Sequence, residues 1–171
     1  FEHLGRTRTN LKDISERFSK IGSKVNLERI NLSNLLGEIA EYAKNRIPKT
    51  KNIRIVFNHK EGLHLKGDKM LLSWAFENLI KNSIQAIEEN SGKIEIKVDQ
   101  ISSITSIYFE DTGKGIPRSD WKKIFSPGYS TKSRGWGVGL SLTQRIIEQT
   151  HSGKIYVSNS SKRGTSIQIS I

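Results

Sequence analysis

The chain has no cysteine among its 171 residues, which excludes disulfide scaffolds, thiolate nucleophiles and Cys-based zinc sites and fits a reducing compartment. Histidine is scarce as well. His3, His59, His64 and His151 share no metal-ligand spacing and read as surface residues, His151 near a helix C-terminus where a cation is favourable. No apolar run approaches the roughly 20 residues of a membrane-spanning helix. Acidic residues are few, 17 Asp and Glu against 28 Lys and Arg, so the net charge is +11. Such an excess raises nucleic acid or an anionic membrane as partners. The basic residues, however, are spread over the whole length, with no arginine-rich helix and no basic block interleaved with aromatics. Nucleic acid is therefore not an expected partner, and the charge equally suits a domain that holds a polyphosphate. With 35% hydrophobic and 26% charged residues and no low-complexity tract, the chain is expected to form one globular domain with an appended element.

Periodicity supplies the elements. Leu4, Leu11, Ile14, Phe18, Ile21 and Val25 follow a seven-residue a/d spacing, which predicts a helical stem over residues 1–25 with a narrow apolar seam. The seam could pack on the domain that follows; the tail of a dimeric helical module is preferred. A second helix is expected from Asn31 to Arg46, stopped by Pro48, and a third from an Asp68 cap through Glu88. Ile53 to Phe57 and Leu63 to Leu65 read as strands, and Ile94 to Val98 with Ile104 to Phe109 as a hairpin. Val138 to Thr150 reads as a helix ended by Gly153, and Lys154 to Ser158 with Thr165 to Ile171 as a closing hairpin. Hairpins with helices between them predict an α+β fold: a two-layer sandwich, its mixed sheet covered by helices on one face.

Two glycine clusters stand out, Asp111-Thr-Gly-Lys-Gly115-Ile-Pro and Gly135-Trp-Gly-Val-Gly139-Leu, joined by a short basic segment. A carboxylate at a strand end followed by glycines can hold a polar ligand against bare backbone, because glycine permits positive φ and close approach. Asp-Thr-Gly is also the active-site signature of retroviral-type aspartic proteases, but those are nearly all β, and the long helices fit poorly. Gly62 to Gly67 has P-loop glycine spacing, but Asp68 stands where Lys is required. The later glycines are spaced two by two, which is not the dinucleotide fingerprint. On the third helix Asn78 and Asn82 lie four apart, so their amides share a face. They could cap neighbouring backbone, or face a ligand with the Asn82 carbonyl offered to a hard cation such as Mg²⁺. Trp74 and Trp121 read as core, and Trp136, inside a glycine loop, as a hinge plug.

Taken together these stretches resemble a known set of boxes in order. Asn78-Leu-Ile-Lys-Asn82 looks like an N box, Asp111 to Ile116 a G1 box, Ile124-Phe125 through Ser130-Thr131-Lys132 an F box, Gly135 to Leu140 a G2 box, and Gly164-Thr165 the small G3 element. Over about residues 26–171 the chain thus resembles the catalytic, ATP-binding domain of bacterial sensor histidine kinases. These belong to the wider gyrase, Hsp90, histidine kinase and MutL (GHKL, or Bergerat-fold) ATPase superfamily. The short segment between the glycine clusters is similar to the nitrogen-regulation type.

The resemblance implies ATP and Mg²⁺ as cofactors and a role for each matched residue. Asp111 would accept a hydrogen bond from the adenine amino group, with Thr165 supporting it, and Gly113 and Gly115 would let base and ribose lie close. Asn82 would hold Mg²⁺ and Asn78 support it. Residues 116–134 would form a lid, with Ser130, Thr131 and Lys132 reaching the phosphates and Gly135, Gly137 and Gly139 as its hinge. Ile116, Trp136, Val138 and Leu140 complete the two glycine boxes against the nucleotide. Gln85 stands where relatives often carry a phosphate-binding Lys, which shifts that load to Lys132 or Lys81; Asn82 and Lys132 are the residues expected to serve catalysis. Asn78 replaces the catalytic Glu of gyrase-like ATPases, which argues against hydrolysis by an activated water. His3 lacks the context of a phospho-accepting histidine, so the acceptor is expected outside residues 1–171. Residues 1–25 would be the end of a dimerisation and phosphotransfer helix. The implied partners are the chain's own dimerisation helices and a response regulator receiver domain, with no direct membrane contact. The implied place is the cytoplasmic portion of a membrane-bound sensor. Another ATPase of the superfamily, or an anti-sigma-factor-like serine kinase, is the alternative.

Overall fold

The structure is a computed structural model and describes residue 19 and residues 25–58, 61–131 and 137–171. Of the expected stem over residues 1–25, all but residues 19 and 25 lie outside the described residues, as do His59, Lys132, Gly135 and Trp136. Strand β1 (Glu28–Asn31) leads into helix α1 (Leu32–Lys44), followed by β2 (Asn52–Asn58), β3 (His64–Gly67) and helix α2 (Lys69–Ala86). The hairpin β4 (Ser91–Ile101) and β5 (Ile104–Asp111) comes next. Helix α3 (Gly139–Arg145) widens into a π turn at Ile146–Thr150, and β6 (Lys154–Ser161) and β7 (Gly164–Ser170) close the domain.

Helices α1 and α2 start where a side chain can satisfy one of their first free N–H groups. Asn31 Oδ1 accepts from the Asn34 N–H at 3.0 Å, and Asp68 Oδ1 from the Leu71 N–H at 3.1 Å. Leu32, Leu35, Leu36, Ile39, Ala40 and Ala43 form the buried stripe of α1, while Leu71, Leu72, Ala75, Phe76, Leu79 and Ile80 are buried on α2. Strand β1 was not expected. Only Ile30 of its four residues is buried, so no alternation marks it, and antiparallel pairing with β3 defines it instead.

The main sheet has five strands in the order β2-β4-β5-β7-β6, with β2 parallel to β4 and all other pairs antiparallel. Register places Ile96 opposite Phe109, Val98 opposite Ile107 and Phe109 opposite Ile167, so one face is apolar from strand to strand. That face carries the helices, with the Phe76 and Phe109 rings 5.6 Å apart across the two layers. The other face is polar and carries Lys93–Glu95 and Lys97–Glu110 ion pairs at 2.7 Å. Exposed pairs of this kind contribute little stability; they mark the face that no helix among the described residues covers. The fold of the described residues is thus the α+β two-layer sandwich with a mixed sheet, their helices lying on one side of it.

Candidate functional site

Alternation on β5 puts Thr105, Ile107, Phe109 and then Asp111 on the inner face of the sheet. The last inward position is therefore a carboxylate that follows an apolar row, beside the C-terminal end of α2. Its oxygen Oδ1 accepts from the Gly113 N–H at 2.8 Å. Burial pushes the Asp111 carboxyl above its ordinary value, while hydrogen bonds from the Gly113 backbone, the Ser83 hydroxyl and the Thr165 backbone pull the other way. Burial prevails, so the ionised form is costly here unless a ligand donates to it.

The loop after Asp111 is held on three sides. The Lys114 N–H donates to Ala86 O at 3.0 Å, and a Cβ on Gly113 would lie 2.7 Å from three atoms of Ala86. Gly115 has φ +79°, and a Cβ there would meet Ser161 O at 1.9 Å. The Ile116 N–H donates to Ser160 Oγ at 2.8 Å, and Ile116 O accepts from the Trp121 indole at 3.0 Å. Close approach by glycine at these two positions is therefore already used by Ala86 and Ser161, the protein's own backbone.

The segment beyond runs through two 3₁₀ turns, Arg118–Asp120 and Lys123–Phe125, pinned by buried Ile124 and Phe125 and by Arg118 stacked 3.9 Å over the Trp121 ring. At its far end the Gly128 N–H donates to Gly137 O at 2.9 Å, and Gly137, at φ +64°, leaves no room for a side chain against Gly128. Ser130 and Thr131 are exposed, and Val138, Gly139 and Leu140 are half-buried where α3 begins.

Helix α2 supplies the amides. Asn78 Nδ2 donates to Thr143 Oγ1 at 3.0 Å, and a Cβ on Gly139 would sit 2.5 Å from Asn78 Oδ1. Asn78 is thus the clamp between α2 and α3, and Gly139 is the gap that admits it. Asn82, one turn on, is half-buried; Lys81 and Gln85 are exposed on the same stretch. Among the described residues no group of three or more His, Asp or Glu could hold a metal ion. The donors fit Mg²⁺ in a different manner: an amide oxygen such as that of Asn82 is a hard ligand, and Mg²⁺ commonly keeps its waters and the substrate phosphates with few protein ligands.

The structure brings Asp111, Gly113, Thr165 and the C-terminal end of α2 together. It adds Ser83 and Ser160, neither of which the glycine and asparagine pattern pointed to. Ser83 had a signal: it falls on the inward stripe of α2, four residues after Leu79, where an apolar side chain is the rule. His151 corrects an expectation. It is half-buried: Nδ1 lies 2.8 Å from Ile146 O in the π turn, and Nε2 accepts from the Asp68 N–H at 2.9 Å. Burial holds it below its ordinary value, so it serves as a neutral bridge rather than a surface cation. A depression lined by Tyr108, Glu110, Asn159 and Arg163 also reaches Asp111 and Thr165, at the ends of β5, β6 and β7.

Residues 67–171 match the family model described as histidine kinase-, DNA gyrase B-, and HSP90-like ATPase, and the chain belongs to that family. Within it, the structure is similar to the catalytic domain of the histidine kinase ThkA, with a TM-score of 0.77 and 33% identity over 85% of this chain and 95% of that one. ThkA solved in complex with the response regulator protein TrrA also matches, at 28% identity, a TM-score of 0.77 and 48% of that chain. Among curated proteins the chain is 31% identical over 147 residues to sporulation kinase A of Bacillus subtilis, covering 84% of this chain and 23% of the relative. It is 44% identical over 96 residues to the signal transduction histidine-protein kinase AtoS of Escherichia coli, covering 56% and 16%. The chain spans between 16% and 28% of the length of these curated relatives and of the sporulation kinases B and C it also matches. It is a catalytic ATP-binding domain of the sensor histidine kinase kind.

Proposed function

We propose that this domain binds Mg-ATP between Asp111 and the amide face of α2. In the intact kinase it transfers the γ-phosphate to a histidine on the dimerisation helices, from which a response regulator receives it. The observation that carries this reading is Asp111: a carboxylate at the inward end of an apolar strand row, hydrogen-bonded to the Gly113 backbone beside a loop held against the protein's own backbone, with burial opposing its ionisation. An exocyclic amino group donating to that carboxylate would offset the cost, and adenine has one where guanine has an acceptor. The Asn82 side chain would hold Mg²⁺ beside the phosphates; the bound ion would neutralise charge there.

Lys81, Gln85, Ser130, Thr131 and Lys132 supply polar groups along the expected phosphate path, with Lys132 and Asn82 serving catalysis. The boundary near residue 25, the stem's part in dimerisation and a cytoplasmic setting belong to the same proposal; among the described residues, no helix is long and apolar enough to cross a membrane. Catalysis would come from positioning and charge neutralisation, which dominate phosphoryl transfer. The full-length protein incubated with labelled ATP should carry acid-labile phosphohistidine. Phosphoserine on a partner with no phosphohistidine would favour a serine kinase of the same superfamily instead.

A further inference from the structure

We propose that Ser160 is a positioning residue of the nucleotide site, fixing the backbone of Ile116 and, through it, the start of the segment that follows. This rests on the nucleotide reading above and adds to it a residue that none of the glycine or asparagine boxes contains.

The strand β6 would not normally present Ser160 to the site. Its register with β7 runs Ile155–Ile169 and Val157–Ile167, then slips so that Asn159 faces Ser166 and Ser160 faces Thr165. Without the slip, alternation from Ile155 and Val157 would turn Asn159 inward. The bulge at Ser158 re-aims the strand, as bulges beside functional sites do, and brings the Ser160 hydroxyl to the inner face instead.

There the hydroxyl uses all of its capacity. A serine oxygen can donate once and accept twice. Ser160 Oγ accepts from the Ile116 N–H at 2.8 Å, lies 3.0 Å from Thr165 Oγ1, and donates to Gly164 O at 3.2 Å. Thr165 in turn faces Asp111 across the β5–β7 register. The anchor of the loop is therefore tied to the strand position opposite the carboxylate. The next residue, Ser161, closes the space over Gly115. Ile116 has its N–H on Ser160 and its carbonyl on the Trp121 indole, so both of its polar backbone groups are committed. Removing the hydroxyl leaves the Ile116 N–H without its acceptor and frees the loop on the side where the base would lie.

The test titrates the 171-residue chain and its Ser160→Ala and Ser160→Thr variants with Mg-ADP, and with tripolyphosphate as a probe that lacks the base. Ser160→Ala should bind ADP about five- to tenfold more weakly, the loss expected for one hydrogen bond. Tripolyphosphate affinity should not change, and amide exchange at Ile116 should accelerate. Ser160→Thr should restore ADP affinity. If Ser160→Ala does not fold, the isosteric pair Ser160→Thr and Ser160→Val carries the same comparison. Equal weakening of both probes, or a lower melting temperature with ADP affinity unchanged, would make Ser160 a purely structural residue and overturn the proposal. A wild-type chain that binds no ADP would overturn the nucleotide reading itself, before any variant is compared.

Discussion

Gly115→Ala and Gly62→Ala form a matched pair that isolates one physical term. Both glycines sit at nearly the same left-handed angle, φ +79° and +78°, so the backbone cost of an L side chain is common to both. That cost is about 1 kcal/mol, partly offset by the lower unfolded-chain entropy of alanine. At Gly62 nothing among the described residues lies within 4 Å of the added Cβ, whereas at Gly115 it would fall 1.9 Å from Ser161 O. A carbonyl in a paired strand cannot swing aside as a side-chain tip can. Relieving the overlap must move either β6 or the loop, at the roughly 1–3 kcal/mol typical of overpacking. Gly115→Ala should therefore be about 2 kcal/mol less stable than Gly62→Ala, a melting-temperature gap of about 4–8 °C for a chain of this size. Urea unfolding of both variants measures it. Equal losses would show that the loop does not rest on Ser161 and would refute the packing account of this glycine.

Three further outcomes follow from the same contacts. Gly139→Ala should destabilise by about 1–2 kcal/mol because its Cβ would meet Asn78 Oδ1 at 2.5 Å, but in an Asn78→Ala background it should be neutral or stabilising by up to about 1 kcal/mol, a coupling that a double-mutant cycle by urea unfolding reads directly. His151, held below its ordinary 6.5 by burial and facing the Asp68 carboxylate, contributes stability that is complete above pH 6.5 and is lost as pH falls through its folded value, so urea midpoints of wild type should drop on acidification more than those of His151→Gln. Asp111 is shifted the other way: the stabilisation it offers is present below pH 3.8 and lost as pH rises through its folded value. Asp111→Asn should accordingly leave the stability of the nucleotide-free domain at pH 7 within about 1 kcal/mol of wild type.

The fold was largely legible because its elements are strongly periodic. Ile94 to Val98 and Ile104 to Phe109 alternate, α1 and α2 repeat every 3.6 residues, and Asp68 caps the helix that begins at Lys69. Strand β1 carries one buried residue and exists only as a partner of β3, which no local pattern shows. The last helix is marked by its glycine start and apolar face, yet its widening at Ile146–Thr150 accompanies the bond between His151 and Ile146 O, a tertiary feature. At the site, Asp111 is visible from a strand end followed by glycines, but the occupants of the glycine gaps are not. Ala86, Ser161 and Asn78 fill the space at Gly113, Gly115 and Gly139 from remote parts of the chain. Ser160 reaches the site only through a register slip between two strands.

In the proposed site the inward carboxylate of β5 reads adenine. Calorimetric titration of wild type and Asp111→Asn with a non-hydrolysable ATP analogue, with and without Mg²⁺ and against GTP, tests it most directly. The expected result is adenine-selective binding, strengthened by Mg²⁺ and reduced about tenfold or more in Asp111→Asn, the loss of one charge-assisted hydrogen bond. Equal affinity for ATP analogue and GTP, or an Asp111→Asn variant that binds as wild type does, would contradict it.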